Sequence, residues 1–153
     1  MKRGVRFQIP NEYGKYLAEI LKPIDCTKYN WKVECSTEIW KVTDGNLGDR
    51  LLSYDIIDGN EFSNLIRSSM YYLIFATLKA FPKGAPIIEI PKYEDFISSN
   101  CEISFIVADY SYVCLLCKNV SLAEKLFINA KNKGFEEIIY IDENDNIEEM
   151  YNN

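Results

Sequence analysis

The sequence predicts an α+β fold, with a mainly antiparallel sheet and helices on one face. Short stretches in which apolar and polar side chains alternate recur along the chain, and this period of two is typical of half-buried strands. Segments with apolar residues three and four positions apart lie between them, as amphipathic helices require. The chain has 153 residues, of which 48% are hydrophobic, so it can bury one sizeable core.

The first half of the chain, residues 1–82, begins with a strand over 5–9 that Pro10 ends. Asn11 is the expected cap of a helix that runs to Leu21 and stops before Pro23. The remaining predicted elements are strands over 29–35 and 38–42, a polar loop over 43–49, an ambiguous segment over 51–57, a helix over 61–69 and a strand over 70–80. The last strand is almost entirely apolar, which indicates burial on both faces.

The second half, residues 83–141, follows the clearest break in the sequence, Phe-Pro-Lys-Gly-Ala-Pro at 81–86. A strand is predicted over 87–90, a helix over 92–99, and two strands over 101–108 and 112–117 joined by a tight turn. The most clearly predicted helix covers 120–133, with Ser121 as its cap and Gly134 after its end. A strand over 135–141 follows, and residues 142–153 are interpreted as an acidic, frayed polar tail.

The order of these elements suggests a duplication. Each half approaches the strand-helix-strand-strand-helix-strand order of a ferredoxin-like unit, although the two halves share no sequence similarity. The alternative is a single α+β sheet with helices on one face. Both interpretations give one compact domain over residues 1–141.

The absence of histidine is the most informative feature of the composition. It excludes Ser-His-Asp and Cys-His catalysis and removes the commonest metal ligand. No phosphate-binding loop or dinucleotide-binding glycine pattern is present. Asp109, Tyr110 and Lys83 are the remaining parts an enzyme could use, but no motif groups them. We therefore expect a protein that is not an enzyme and has no cofactor.

The cysteines and the acidic tail do not predict a metal site. Cys114 and Cys117 have the spacing of redox and zinc sites, but in a strand two residues three apart point to opposite faces. Residues 142–146 match the first positions of a calcium loop, whereas Ile147 stands where such a loop needs glycine. The five cysteines fit a reducing cytoplasm better than a disulfide framework.

The charge is unevenly distributed along the chain. The net charge is −6, and residues 101–153 carry ten acidic and four basic side chains. An acidic chain argues against nucleic-acid binding and favours a basic protein partner. No secretory signal is recognisable, and the longest apolar run is about half of what a membrane span needs. The expected location is the cytoplasm, with no membrane contact.

The candidate contact surface combines tyrosines with acidic residues. Tyrosine is enriched in binding hot spots, and turn tyrosines cannot all belong to the core. Acidic residues that follow in sequence add an electrostatic docking surface. The residues predicted to contact a partner are Asp109, Tyr110, Tyr112, Glu136, Asp142 and Asp145.

Several segments resemble a known family. The opening residues 1–7, the segment Ile-Pro-Asn-Glu-Tyr-Gly at 9–14, Leu-Lys-Pro-Ile at 21–24 and Tyr-Asn-Trp at 29–31 are similar to a small uncharacterised family of Firmicutes, catalogued as a domain of unknown function. The pieces at 58–59, 80–82 and 142–145 fit the same resemblance, which covers essentially the whole chain. It implies a bacterial cytoplasmic protein and supplies no activity, cofactor or functional residue.

Two functions remain in competition. The first is a non-catalytic protein-binding module, of inhibitor or immunity type, that neutralises a basic partner through its acidic, tyrosine-bearing surface. The alternative is a small-ligand sensor that binds between two ferredoxin-like halves, near residues 81–86. A structural building block is also compatible with the composition, and the sequence does not give the oligomeric state.

Overall fold

The computed structural model describes residues 1–53 and 55–151. In these residues nine strands and five α-helices form one α+β structure. The strands are β1 (Lys2–Gln8), β2 (Tyr29–Val33), β3 (Glu38–Thr43), β4 (Asn46–Arg50), β5 (Ile56–Asp58), β6 (Tyr71–Pro82), β7 (Ile103–Ala108), β8 (Tyr112–Cys117) and β9 (Glu136–Asp142). The helices are α1 (Tyr16–Ile20), α2 (Gly59–Ser68), α3 (Tyr93–Ser98), α4 (Val120–Asn132) and α5 (Ile147–Tyr151).

All the strand pairs are antiparallel and belong to one sheet, which confirms the predicted fold class. The main order is β4-β3-β6-β7-β8-β1-β9, and β5 is attached through β2. Strand β6 pairs with β7 along one edge, while its other edge pairs with β3 and then with β2. Strand β1 lies between β8 and β9. Because a strand of the first half is inserted among strands of the second, the interpretation as two ferredoxin-like units is not confirmed, and the strands form the single sheet of the alternative.

The two faces of the sheet are covered differently. On the first face, α1, α2 and α4 pack over the larger core, with Leu17, Phe62 and Leu126 almost fully buried. On the second face, α3 and α5 cover only part of the sheet through Phe96 and Tyr151. The expectation of helices on one face is therefore correct for three helices and wrong for α3 and α5. We call the second face the pocket face.

The largest difference between the sequence prediction and the structure is in the predicted polar tail. Asp142 ends β9, and α5 follows it, with Ile147 and Tyr151 buried against the sheet. Ile147, Met150 and Tyr151 have the i, i+3, i+4 spacing of a helical stripe, but the acidic residues around them hide it. Burial of this stripe provides the stabilisation that a five-residue helix lacks by itself.

Four smaller predictions differ from the structure. Helix α1 begins at Tyr16 rather than after Asn11, because Gly14 exchanges backbone hydrogen bonds with Tyr71. The predicted loop over 43–49 contains the β3–β4 hairpin, which turns where Asp44 and Gly45 have positive φ. Residues 87–90 form no strand. Helix α4 is capped by the Asn119 side chain rather than by Ser121.

One glycine is required by close strand packing. A Cβ added to Gly4 would lie 1.9 Å from the carbonyl oxygen of Leu115 on β8. We expect Gly4→Ala to lower the free energy of unfolding by about 1–3 kcal/mol, because backbone must move to remove the clash. Chemical denaturation measures the difference. Gly48→Ala is the matched control, because the nearest atom to its added Cβ is 3.6 Å away. An equal loss in both variants would contradict this account.

Candidate functional site

A pocket of about 540 Å³ opens on the part of the pocket face that α3 and α5 leave uncovered. Its walls come from β1, β7, β8, the start of β9 and one side of α5. The lining residues are Arg6, Phe7, Gln8, Ile106, Ala108, Tyr112, Val113, Cys114, Glu137, Ile139 and Met150. This volume lies within the range of about 300–1,000 Å³ that is usual for small-molecule sites.

Strand register explains why these residues meet. Ile106 lies opposite Cys114, and Cys114 lies opposite Arg6, so the three form a row across β7, β8 and β1. Residues two positions along a strand point to the same face, which brings Tyr112 and Gln8 into the next row. The result is a largely apolar floor that carries a single guanidinium group.

Arg6 is the only cationic side chain lining the described part of this pocket. It is exposed, and among the described residues it makes neither an ion pair nor a hydrogen bond. Arg3, three residues earlier on β1, is instead paired with Glu143 at 2.6 Å. The pocket acid Glu137 accepts a hydrogen bond from Gln8 Nε2. Arg6 therefore leaves its guanidinium available to an anion at the pocket.

Lys79 is the most unusual charged residue on the same face. Its side chain is 3% exposed, although lysine is almost never fully buried without a counter-ion. Its Nζ donates a hydrogen bond to Ser104 Oγ at 2.7 Å and lies 4.1 Å from the centre of the Tyr151 ring. No carboxylate among the described residues is within ion-pair distance of it. Burial lowers the pKa of Lys79 to about 8.

Lys32 lies directly opposite Lys79 on the adjacent strand β2. Its Nζ is 3.1 Å from Glu89, 3.2 Å from Asp55 and 3.5 Å from Glu34. Burial by itself would lower the pKa of Lys32, but the hydrogen bonds to Glu89 and Asp55 and the attraction of Glu34 outweigh it, so the pKa is raised. One lysine of the pair is therefore fixed as a cation, while its neighbour loses its proton more easily.

The three predicted residues of the β7–β8 turn lie at the rim of the pocket face. Asp109 and Tyr110 both have positive φ, a conformation that is rare for a bulky residue such as tyrosine. The Tyr110 ring lies 5.7 Å from that of Tyr72, which in turn lies 5.3 Å from Tyr13. Tyr112 lines the pocket and is 54% exposed. We call Tyr13, Tyr72, Tyr110 and Tyr112 the tyrosine rim.

The acidic residues predicted as contacts do not form one surface. Glu136 is exposed and lies at the same end of the sheet as Tyr112, on the other side of Gln8, with which both pair. Asp142 is at the far end of β9, where its carboxylate is 3.2 Å from the amino group of Met1. Hydrogen bonds from Asn144 and from that amino group lower the pKa of Asp142. Asp145 accepts a hydrogen bond from the backbone N–H of Asp142 at 2.7 Å, so it shapes a turn.

The interpretation of the Cys-x-x-Cys pair is confirmed. Cys117 packs in the core of the first face, whereas Cys114 lies on the pocket face, and both thiols are free. Within residues 1–53 and 55–151, no group of three or more His, Cys, Asp or Glu side chains could hold a metal ion. None of the helices in the same residues is long and apolar enough to cross a membrane.

Sequence analysis missed Arg6, Lys79 and Ser104. A local signal existed for Lys79, which is a single lysine within an apolar run predicted to be buried on both faces. Arg6 and Ser104 carry no such signal, because alternating polar residues in a strand are normally solvated. Only the register of β6, β7, β8 and β1 shows that these side chains share one face.

The pH dependence of stability tests the environment of Lys79. Between pH 8 and the lysine pKa of about 10.4 in the unfolded chain, the unfolded state holds more protons at this site than the folded state. Lys79 therefore costs most stability below pH 8, and the cost fades as pH rises toward 10. We expect Lys79→Met to be more stable than wild type at pH 7 by about 3 kcal/mol more than at pH 10.5. Denaturant unfolding of both proteins across this range measures the difference.

Lys32→Met provides the comparison for this experiment. The raised pKa of Lys32 means that its contribution to stability is present throughout pH 7–10 and is lost only at higher pH. Its substitution should therefore cost stability by an amount that stays constant over that range. If the Lys79→Met and wild-type curves run parallel from pH 7 to pH 10.5, the description of Lys79 is wrong.

Comparison with known proteins supports the resemblance found in the sequence. Residues 2–152 match a family model described as a protein of unknown function (DUF2691). The chain is 44% identical over 148 residues to the uncharacterized protein YncE of Bacillus subtilis (strain 168), an alignment that covers 95% of each chain. No solved structure matches the chain significantly. The Firmicutes resemblance is thus confirmed, and the chain belongs to the DUF2691 family of proteins of unknown function.

Proposed function

We propose that this protein binds a small apolar carboxylate in the pocket on the uncovered sheet face, without transforming it. The observation that carries the proposal is the guanidinium of Arg6 on an apolar floor, with no ion pair to any residue of 1–53 or 55–151. A carboxylate of the ligand pairs with Arg6, and its hydrocarbon or aromatic body lies over Ile106 and Cys114. Guanidinium groups suit this role because their planar donors match carboxylate geometry.

The position of the pocket defines the ligand further. Met150 of α5 and Tyr112 of β8 both line the pocket, so the ligand body contacts a flexible thioether and an aromatic ring. Methionine adapts to irregular apolar shapes, and tyrosine adds both apolar area and a hydroxyl. This proposal differs from the expected location near residues 81–86, where Phe81 is buried in the core with Phe96 and Tyr151. We place the protein in the cytoplasm, in keeping with its free thiols.

Calorimetric titration with octanoate, octylamine and octanol tests the proposal. Octanoate should bind most tightly, because only its carboxylate can pair with Arg6. Arg6→Met should weaken octanoate binding about tenfold or more, since a hydrogen bond to a charged group contributes about 1.5–3 kcal/mol.

Lys125→Met is the matched control. It removes one exposed positive charge from α4, on the other face of the sheet, and should leave octanoate binding unchanged. Octylamine binding as tightly as octanoate would contradict the assignment of Arg6. Equal loss of octanoate binding in both variants would show a net-charge effect instead of a site.

A protein-binding function is the second candidate, and the tyrosine rim favours it. Tyr110 keeps a positive φ that costs about 1–3 kcal/mol for such a residue, while its ring remains 38% exposed beside Tyr72. Glu136 adds a negative charge at the same end of the sheet as Tyr112, which suits a basic partner. In this candidate function the partner is a basic protein held by exposed tyrosines at the end of the pocket face.

Tyr110→Gly separates a binding role from a folding role. Glycine adopts positive φ without strain, and this gain offsets the loss of the contact between Tyr110 and Tyr72, so stability should change by less than about 1 kcal/mol. A basic partner that binds the purified wild-type protein at low salt should lose at least tenfold in affinity with the variant. Glu124→Gln removes an exposed acid from α4 and serves as the control. Unchanged affinity in Tyr110→Gly would contradict the role of the tyrosine rim.

A further inference from the structure

We propose that Lys79 is a carbonyl-reactive amine that captures small aldehydes or ketones as a Schiff base, with Lys32 as the neighbouring cation that keeps it reactive. The proposal rests on the two opposed lysines of β2 and β6 and goes beyond the binding function of the Arg6 pocket. The pairing of these lysines is set by strand register, since Lys32 and Lys79 are direct cross-strand partners. Their side chains therefore share the pocket face.

The two lysines differ in their electrostatic surroundings, because the three nearby carboxylates pair with Lys32. Glu34, Asp55 and Glu89 surround Lys32 Nζ, whereas the Ser104 hydroxyl is the only hydrogen-bond partner of Lys79 Nζ within the described part of the chain. A lysine that is desolvated, or placed next to another cation, holds its amine in the neutral and nucleophilic form. Lys79 satisfies both conditions, because its side chain is 3% exposed and Lys32 lies beside it.

Burial is the main reason that the pKa of Lys79 is lowered, and it outweighs the attraction of Glu34, while Lys32 adds a smaller effect in the same direction as burial. Cys101 and Cys114 approach it from the segment before β7 and from β8, and burial raises the pKa of each thiol to about 11, so both are neutral at physiological pH. Tyr151 contributes the face of its ring from α5. Glu34 faces the site from the end of β2 and is already paired with Lys32. Lys79 therefore has no carboxylate of its own among the described residues.

The chemistry needs no further reagent than the carbonyl compound. The neutral Nζ attacks the carbonyl carbon to form a carbon–nitrogen bond, and a proton moves from nitrogen to oxygen to give a carbinolamine. Loss of that oxygen as water leaves the imine. Ser104 Oγ, at 2.7 Å from Nζ, is placed to accept and return the proton in these transfers.

Access to Lys79 runs along the edge of α5. The pocket floor reaches Ile106, which lies two residues from Ser104 on the same face of β7. Met150 of α5 lines the pocket, and the next residue, Tyr151, lies over Lys79 Nζ. Local opening of the five-residue helix α5 is the route by which a carbonyl compound of a few atoms would reach the amine from the pocket.

Reductive trapping tests the proposal in the full-length protein. Acetaldehyde and sodium cyanoborohydride convert any imine into a stable ethyl-lysine, which peptide mass spectrometry locates. At pH 7 an amine with a pKa near 8 is about one part in ten neutral, compared with about one in 2,500 for an ordinary lysine. We therefore expect Lys79 to be modified at least about tenfold faster than the exposed Lys125, even with access slowed by burial.

Two variants test the role of Lys32. Lys32→Met removes the cation beside Lys79 and leaves Glu34 without its ion-pair partner, so modification of Lys79 should slow at least about fivefold because Glu34 then favours its protonated form. Glu89→Gln removes a negative charge at an exposed position, whereas Lys32→Met removes a positive one. Modification of Lys79 in Glu89→Gln should be as fast as in wild type or faster. If Lys32→Met fails to fold, Glu89→Gln still decides, since slower modification there contradicts the role of Lys32.

The result that overturns the proposal is simple. If Lys79 in the wild-type protein is modified no faster than Lys125 at pH 7, it is not a carbonyl-reactive amine. The same experiment with Arg6→Met separates this proposal from the binding function. Modification of Lys79 by acetaldehyde should be unchanged in that variant, since acetaldehyde has no carboxylate to pair with Arg6.

Discussion

The antiparallel pairing of β6 on both of its edges is the interaction on which the rest of the structure depends. This strand of 12 residues holds β7 on one side and both β3 and β2 on the other. A change of one residue in its register would exchange the two faces of the strand. Leu78 would then leave the main core, and Lys79 would enter it. The same register that packs the core also places Lys79 opposite Lys32 and Ser104.

Partial covering of the pocket face explains how one sheet presents both an open pocket and a buried amine. Helices α3 and α5 pack against each other through Phe96 and Tyr151, and Glu143 joins Arg3 to Tyr93 at the edge of this layer. In the covered part, exclusion of water lowers the pKa of Lys79. The uncovered part keeps Arg6 in contact with solvent, where it attracts anions. Met150 stands at the boundary between the two environments.

Sequence analysis was most successful where the physical signal is local. The strand at 112–117, the helix at 120–133 and the tight turn between β7 and β8 are confirmed within a residue or two. It failed where a tertiary contact outweighs the local pattern. The predicted first turn of α1 does not form, because Gly14 pairs with Tyr71 instead. The predicted polar tail forms a helix, because Ile147 and Tyr151 pack against an apolar surface. Of the six predicted contact residues, Tyr112 lines the pocket, whereas Asp142 and Asp145 stabilise a turn.

By itself, the sequence determined the fold class, the antiparallel character of the sheet, the absence of histidine chemistry and the family, because composition, periodicity and residue similarity are properties of the chain. The tertiary structure alone decided which side chains meet. Arg6, Lys32, Lys79 and Ser104 come from four strands that are distant in sequence, and only strand order and register place them on one face. The charge state of Lys79 is likewise a tertiary property. It depends on burial beneath α5 and on the ion pairs that the neighbouring carboxylates form with Lys32.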